Sequence, residues 1–92
     1  MIILVAYDIR DDSARLAFQR DLERHGFSRV QKSVYARRGG YKALSRRVAL
    51  LASRRINPAT DTVLIMEVPD WALEKAIILG VGGAPGGSAK IL

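Results

Sequence analysis

The chain opens with an uninterrupted apolar segment, from Ile2 to Tyr7, which Asp8 brings to an end. A continuous run of apolar residues is typical of a strand buried on both faces, in the middle of a sheet. The run is far shorter than the roughly 20 apolar residues that span a bilayer. The pattern therefore predicts a central strand that carries a carboxylate at its carboxyl end.

A helix and a strand pair are predicted to follow. Asp11, Asp12 and Ser13 offer N-cap side chains for the helix, and Gly26 offers its C-terminal stop. Between them, apolar residues recur at helical spacing, namely Ala14, Ala17, Phe18 and Leu22. The segment from Phe27 to Arg37 is rich in β-formers and has no helical stripe, which predicts a short hairpin or a bulged strand pair.

The second half of the chain repeats the order of helix and strand. After Gly39-Gly40, a helix is predicted from Tyr41 to Arg55. Asn57-Pro58 cannot continue this helix, because the residue before a proline is driven out of the α region. The predicted buried stripe of the helix consists of Leu44, Val48, Leu51 and Ala52. A strand is then predicted from Thr62 to Val68.

This order of elements predicts an α+β fold of the ferredoxin-like β-α-β-β-α-β type, with two helices on one face of an antiparallel sheet. One domain is expected over residues 1–79. Its last apolar run, Ala76 to Leu79, predicts an additional C-terminal strand that is surplus to this fold and can pair with the sheet edge of another chain. Residues 80–92 are rich in glycine and predict a flexible tail.

The net charge of +6 comes from the middle third of the chain. Residues 31–60 hold eight basic side chains and no acidic one, whereas residues 61–92 hold two lysines and four acidic residues. An unbalanced basic block is typical of a phosphate-binding surface, and the excess of arginine over lysine favours phosphate contacts. The alternative is a solubilising face without a ligand. The candidate nucleic-acid contacts in this block are Arg37, Arg38, Lys42, Arg46 and Arg47.

The chain contains no cysteine and a single histidine, His25. The absence of cysteine excludes disulfides and thiolate metal sites and fits a reducing compartment, so we expect a cytoplasmic protein without membrane attachment. His25 falls in the last turn of the first predicted helix, where the helix dipole favours a cation. Its expected role is therefore structural.

Asp8 is the best candidate for chemistry, since a carboxylate at the end of a buried strand is held rigidly and still reaches solvent. Mg²⁺ binds through one or two carboxylates together with water and phosphate oxygens, and a two-fold dimer would bring the same aspartate from both subunits. Such a metal activates water for phosphodiester hydrolysis. The alternative is that Asp8 only ends the strand or begins the turn. Asp11 and Asp12 are better explained as helix caps than as ligands.

Two motifs resemble the small CRISPR-associated adaptation nucleases, the second of the numbered Cas families. The residues that carry the likeness are Tyr7-Asp8-Ile9, Asp11-Asp12, Arg15 and Val30-Gln31-Lys32-Ser33-Val34-Tyr35. The resemblance covers Met1 to about Leu79. The chain departs from the pattern at Ala36-Arg37-Arg38, where many relatives have an acid or a glycine, and this departure adds positive charge.

The resemblance implies a ferredoxin-like homodimer in which the last strand crosses to the partner's sheet and Asp8 of each subunit binds Mg²⁺ or Mn²⁺. It implies a metal-dependent endonuclease on RNA or double-stranded DNA, and the central dimer of the spacer-acquisition complex in prokaryotic antiviral defence, where an integrase subunit does the joining. Arg15 matches a basic position of the family's active region, and Tyr35 matches its usual Phe or Tyr. Tyr7 and Ser33 lie in the same motifs and are further site candidates.

Three other functions stay open on the residues alone. One is a non-catalytic dimeric scaffold that grips duplex DNA through the basic middle third while another subunit cuts. Another is a related ribonuclease toxin that shares the fold and the strand-end aspartate. The last is an RNA-recognition-type binder, which needs two or three exposed aromatic residues on the central strands. Tyr35 stands nearly alone in that position.

Overall fold

A computed structural model describes residues 1–80 and 90–91 of the chain. Its main elements are β1 (Ile2–Asp8), α1 (Asp12–Arg24), β2 (Ser28–Gln31), β3 (Val34–Arg38), α2 (Leu44–Arg55) and β4 (Thr62–Val68). The four strands form one antiparallel sheet in the order β2-β3-β1-β4, and the two helices cover one of its faces. The predicted α+β ferredoxin-like fold is therefore confirmed.

β1 is a central strand, as its uninterrupted apolar pattern predicts, because it pairs with β3 on one side and with β4 on the other. Successive side chains of a strand point to opposite faces of the sheet. Ile3, Val5 and Tyr7 belong to the core beneath the helices, whereas Ile2 belongs to a smaller cluster on the other face. The helices contribute their apolar stripes to the larger core, through Phe18, Leu22, Leu44, Val48 and Ala52.

α1 begins and ends where its capping residues predict. The N-cap Asp11 accepts a hydrogen bond from the backbone N–H of Ala14 at 2.8 Å. His25 is the C-cap, and its Nδ1 lies 2.8 Å from the carbonyl oxygen of Asp21, so its role is structural. Gly26 follows with φ at 82°, a left-handed conformation that terminates helices and that glycine adopts without strain.

α2 begins at Leu44, three residues later than Tyr41, where the sequence pattern predicts it to start. The preceding residues form a turn, in which the N–H of Leu44 donates to the carbonyl of Tyr41 at 3.0 Å. Ala43 is the N-cap and has no side-chain acceptor that could extend the helix backwards. The predicted stripe is buried at three of its four positions, while Leu51 is half-buried.

The strand pair β2-β3 is bulged, as its composition predicts. The pairing register shifts between Arg29 and Gln31, so one extra residue is accommodated in β2. The two helices above the sheet are joined by an ion pair between the exposed Arg55 and the buried Asp21. Arg55 donates to the carboxylate of Asp21 from Nε at 2.8 Å and from Nη2 at 3.2 Å. This bidentate pair ties the end of α2 to α1.

The segment after β4 differs from the predicted single strand. A short helix, α3 (Trp71–Glu74), is too brief to give a periodic apolar pattern, and it places Leu73 on the second apolar cluster of the sheet. The predicted fifth strand is shorter than expected, β5 (Ile77–Ile78), and pairs in parallel with β6 (Lys90–Ile91) of the same chain. Of the predicted flexible tail, residues 81–89 and 92 lie outside the described residues.

None of the helices in the described ranges combines the length and the apolar character needed to cross a membrane.

Candidate functional site

Asp8 is the last residue of β1 and is exposed. Its pairing partner is Thr62, the first residue of β4, which is also exposed. Because side chains alternate along β1, the Asp8 carboxylate lies on the face opposite to the helices. Within residues 1–80, the Asp8 side chain makes no hydrogen bond or ion pair. The carboxylate is therefore held on a rigid strand and available to a ligand.

The turn between β2 and β3 lies beside Asp8. The carbonyl of Ser33 accepts a hydrogen bond from the N–H of Tyr7 at 3.0 Å, so the backbone of Ser33 adjoins the last residues of β1. Lys32 is exposed in the same turn, and its carbonyl accepts from the Tyr7 hydroxyl at 3.3 Å. The predicted site residue Ser33 is thus near Asp8, whereas its further neighbours Lys32 and Thr62 were not among the predicted site residues. Both lie beside Asp8 because of how the strands pair, and the sequence alone does not give that pairing register.

The loop that follows Asp8 is fixed by three hydrogen bonds. Arg15 donates from Nη1 to the carbonyl of Ile9 at 3.0 Å, and Asp11 caps α1. The N–H of Arg10 donates to Oδ1 of Asp61 at 3.2 Å. The predicted site residue Arg15 also pairs with Asp12, with Nη2 2.5 Å from Oδ1, so its guanidinium is partly engaged within this loop and is bonded to the carbonyl of the residue that follows Asp8. Its position is compatible with a charge that faces a bound phosphate.

Tyr7 and Tyr35 lie in the core on the helix side of the sheet, so they do not share the face of Asp8. Their rings stack at 6.2 Å, and Tyr7 also meets Phe18 edge to face at 5.7 Å. Gln19 donates to the Tyr7 hydroxyl at 2.7 Å. Burial, reinforced by the neighbouring Tyr7, raises the pKa of Tyr35. Because both rings are buried, neither is available to stack on a base. The two tyrosines therefore do not supply the exposed aromatic residues that an RNA-recognition-type binder needs.

Two of the predicted basic contacts lie at the end of β1 remote from Asp8. Arg38 pairs with Ile2 and Arg37 with Ile3, six and five residues before Asp8. At about 3.3 Å per residue, Arg38 is ~20 Å away along the strand. Arg37 is half-buried and donates to the carbonyl of His25, and Arg38 lies 3.6 Å from Glu74. Arg37 therefore has a structural role in addition to its charge, and neither residue adjoins Asp8 within one chain.

Lys42 and Arg46 lie at the same remote end. They line an open groove of about 520 Å³ at the start of α2, together with Ala43, Ser45 and Glu67. Ser45 donates to Glu67 at 3.1 Å across this groove. Arg47 is exposed on the first turn of α2. Arg38, Lys42, Arg46 and Arg47 thus lie near one end of the sheet, whereas Asp8 and the exposed Lys32 lie at the other.

Next to Asp8, the face of the sheet opposite to the helices is apolar and open. Leu64 and Met66 of β4 are 55% and 40% exposed and lie beside Ala6 and Leu4 of β1. α3 covers only the far end of this face, where Leu73 meets the cluster around Ile2. Exposed apolar patches of this kind on a small protein commonly mark an interaction surface.

The residues around Asp8 fit a divalent cation only in part. Mg²⁺ accepts one or two carboxylates and retains several water molecules. In the described ranges, three or more His, Cys, Asp or Glu side chains nowhere come together as a metal site. A single chain therefore supplies one exposed carboxylate at this point, and a second copy of Asp8 would supply the other.

Residues 1–76 of the chain match the family model of CRISPR associated protein Cas2. The chain belongs to the Cas2 family. A CRISPR-associated endoribonuclease Cas2 from Aeropyrum pernix is 37% identical over 82 residues, covering 89% of this chain and 86% of the relative. A CRISPR-associated endoribonuclease Cas2 from Thermofilum pendens is 34% identical over 76 residues, covering 83% and 80%. The likeness drawn from the motifs around Asp8 and Ser33 is confirmed.

Solved structures share the fold of this Cas2 family member. A hypothetical protein from Thermus thermophilus superposes with a TM-score of 0.73 at 30% identity, over 88% of this chain and 92% of that chain. Cas2 from Streptococcus pyogenes superposes with a TM-score of 0.60 at 21% identity, over 77% and 90%. The second comparison concerns the fold alone.

Proposed function

We propose that this Cas2 family member is a metal-dependent endonuclease of CRISPR antiviral defence that acts as a homodimer. Asp8 of each subunit is the metal ligand and the catalytic residue. The observation that carries this proposal is the position of Asp8, exposed at the end of the central strand and bordering an open apolar face. The relatives from Aeropyrum and Thermofilum are named endoribonucleases, which supports cleavage of a phosphodiester bond.

The homodimer accounts for the open face and for the single carboxylate together. An isologous contact presents the same surface from both subunits, so Leu64 and Met66 of each copy become buried. Asp8 borders this surface and meets its counterpart near the two-fold axis. The pair then offers the two carboxylates that Mg²⁺ or Mn²⁺ accepts. β5 adds an exposed apolar segment, with Ile77 68% exposed, that can contact the partner.

The chain's own residues hold the metal and the nucleic acid in place. A bound Mg²⁺ or Mn²⁺ activates water and neutralises charge on the scissile phosphodiester. Asp8 contributes the ligand oxygens, and Arg15, which is fixed to the carbonyl of Ile9, adds positive charge beside them. Lys32, exposed in the neighbouring turn, is a further phosphate contact. The substrate class is RNA or double-stranded DNA.

The basic residues at the remote end of the sheet bind phosphates away from the cleavage site. Arg38, Lys42, Arg46 and Arg47 are exposed there. At about 20 Å from Asp8 along the sheet, Arg38 would contact a duplex roughly six base pairs away, given 3.4 Å per base pair along one strand. We propose that this grip serves the spacer-acquisition complex, in which the dimer carries DNA for an integrase subunit.

A non-catalytic scaffold is the second candidate function, and the separation of charges favours it. The exposed basic residues Arg38, Lys42 and Arg46 do not adjoin Asp8 within one chain. A dimer of this kind grips duplex DNA through phosphates, and the chemistry belongs to another subunit. Phosphate contacts of that type make affinity fall steeply with salt, with a log–log slope near −0.9 per contact on duplex DNA.

One experiment separates the two candidates. Labelled single-stranded RNA and duplex DNA are incubated with wild type and Asp8→Ala in Mg²⁺, Mn²⁺ or EDTA, and binding is measured at low and moderate salt. The nuclease predicts cleavage that EDTA abolishes and that Asp8→Ala reduces at least 100-fold, since the ligand itself is removed. Salt-sensitive binding without cleavage, equal in the two proteins, would establish the scaffold instead.

A further inference from the structure

Asp61 is one of two buried carboxylates in residues 1–80, the other being Asp21. Asp21 is neutralised by Arg55. Asp61, in contrast, accepts hydrogen bonds from the backbone. Its Oδ2 accepts from the N–H of Asn57 at 2.9 Å, and its Oδ1 accepts from the N–H of Arg10 at 3.2 Å. The hydroxyl of Thr60 donates to the same Oδ1 at 3.0 Å.

These bonds connect two segments at the point where the sheet ends. The pair formed by Asp8 and Thr62 is the last rung between β1 and β4. Beyond it, β1 continues into the loop of Ile9 and Arg10, while β4 is preceded by the turn from Asn57 to Asp61. The carboxylate of Asp61 bridges the two segments and so extends the attachment of β1 to β4 past the last rung.

Among the hydrogen bonds that fix the loop after Asp8, the bond from the N–H of Arg10 to Asp61 joins the residues farthest apart in the sequence. Arg15 and Asp11 hold the loop from α1, within six residues. Arg10 and Asp61 are separated by 51 residues. The loop is therefore held from α1 on one side and from the turn before β4 on the other. A carboxylate that accepts backbone N–H groups in a buried place is difficult to replace, because each N–H would lose its partner.

We infer that Asp61 is a positioning residue for Asp8. By holding the N–H of Arg10, Asp61 keeps the end of β1 in place and fixes the direction in which Asp8 presents its carboxylate. Its own oxygens are occupied by three donors within the fold, so it acts through Asp8 and not as a second ligand. The consequence for metal affinity rests on the proposed function of Asp8, whereas the consequence for the backbone does not.

Asp61→Asn tests this inference, with Asp21→Asn as the matched control. Asparagine keeps the size of the side chain but turns an NH₂ group toward one of the two backbone N–H donors. Both substitutions remove a buried carboxylate, and only Asp61 adjoins the loop after Asp8. Loss of a group that orients a ligand typically weakens metal binding 10- to 100-fold. We expect Asp61→Asn to raise the Kd for Mn²⁺, measured by electron paramagnetic resonance, about tenfold.

Asp21→Asn is expected to lower the thermal midpoint and to leave the Kd for Mn²⁺ unchanged. Equal affinity in wild type and Asp61→Asn would overturn the inference, as would an equal loss of affinity in the two variants. If Asp61→Asn does not fold, Thr60→Val removes one donor to the carboxylate and keeps the shape of the residue. It is expected to weaken Mn²⁺ binding in the same direction and by less, and an unchanged Kd would again overturn the inference.

The failure of the proposed function is recognised separately. If wild type and Asp8→Ala bind Mn²⁺ equally, the proposed metal site is wrong. In that case, the rate of amide hydrogen exchange tests whether Asp61 positions the backbone beside Asp8, because this measurement needs no metal. We expect the N–H of Arg10 to exchange at least tenfold faster in Asp61→Asn than in wild type, with the backbone order of Asp8 reduced, and neither change in Asp21→Asn. Unchanged exchange at Arg10 would overturn the inference on its own.

Discussion

Three aspartates of this chain illustrate how surroundings decide what a carboxylate does. Asp8 is exposed at a strand end and has no partner within residues 1–80. Asp21 is buried and bonded to Arg55, so it joins two helices. Asp61 is buried and bonded to backbone N–H groups, so it joins two loops. The carboxylate of Asp8 is thus available to a ligand, whereas those of Asp21 and Asp61 are occupied by partners within the fold.

The bonds to Asp61 predict a pH dependence of stability. The hydrogen bond from the N–H of Asn57 lowers the pKa of Asp61 most, and the bonds from the N–H of Arg10 and the hydroxyl of Thr60 lower it further. The pKa is therefore below its ordinary value, although burial acts in the opposite direction. A carboxyl whose pKa is lowered by folding contributes stability above its unfolded pKa, near 3.9 for aspartate, and loses it as the pH falls through the folded value. We therefore expect Asp61→Asn to destabilise the protein more at pH 7 than at pH 3.

Urea denaturation of wild type and Asp61→Asn at the two pH values measures this difference. The other carboxyl groups are common to both proteins, so their titration cancels in the comparison. A loss of unfolding free energy that is the same at pH 7 and pH 3 would contradict the prediction.

At the residue scale, the sequence identified Asp8 but could not show which face of the sheet the neighbouring side chains occupy. A strand that is apolar on both sides has no amphipathic signal, so nothing in Ile2 to Tyr7 indicates that Tyr7 faces the helices. Tyr35 lies in the same core, where its ring stacks on that of Tyr7. Asp61 was missed altogether, because an aspartate between a turn and a strand is a common surface residue, and its burial depends on Arg10, 51 residues earlier.

Among the elements, those with explicit stop signals were predicted best. α1 carries an N-cap acceptor at Asp11 and a left-handed glycine at Gly26, and the structure uses both. α2 has no side-chain cap, so its start could not be located from apolar spacing, which continues through Tyr41. α3 spans a single turn and lies below the length at which a period is visible.

Gly26 and Gly39 provide a matched pair for testing the end of α1. Both have positive φ, 82° and 73°. A Cβ at Gly26 would lie 3.2 Å from the guanidinium of Arg37, whereas a Cβ at Gly39 meets nothing within 4 Å. A left-handed conformation costs an L-residue about 1–2 kcal/mol at either position. We expect Gly26→Ala to lose more unfolding free energy than Gly39→Ala, because Arg37 must also shift away from the carbonyl of His25.

Chemical denaturation of the two alanine variants checks this prediction. Losses of equal size would mean that Arg37 moves without cost and that its bond to His25 does not stabilise the end of the helix.

The molecule as a whole has two regions of different character on one sheet. Asp8, the exposed Lys32 and the open apolar face lie toward one end, and the exposed residues Arg38, Lys42 and Arg46 lie at the other. The charge distribution along the sequence indicated a basic surface, but only the antiparallel register places one of its members, Arg38, ~20 Å from Asp8 along the sheet. Within one chain, the candidate contacts Arg37 and Arg38 therefore do not adjoin Asp8.

The proposed homodimer is tested on Leu64, with Leu16 as its control. Leu64 is 55% exposed on the open face, and Leu16 is 49% exposed on α1, across the sheet. A charge buried without a partner at an interface costs about 3–5 kcal/mol. We expect wild type and Leu16→Glu to sediment with a mass about twice the 10.1 kDa of the chain. For Leu64→Glu we expect the dissociation constant of the dimer to rise at least 100-fold.

Analytical ultracentrifugation at micromolar concentration gives these masses. A monomeric wild type would exclude the dimer, and a dimeric Leu64→Glu would move the interface away from the open face.

The central place of β1 also has a consequence for synthesis of the protein. β1 precedes both of its neighbours, β3 and β4, along the chain, so it is synthesised before either of them, and the pairing with β4 is complete only at Val68. Until then Asp8 has neither the rung to Thr62 nor the bond from Arg10 to Asp61. A nascent chain that has not yet reached β4, or one truncated before it, consequently lacks the assembled surroundings of Asp8, and we expect it to lack the proposed nuclease activity.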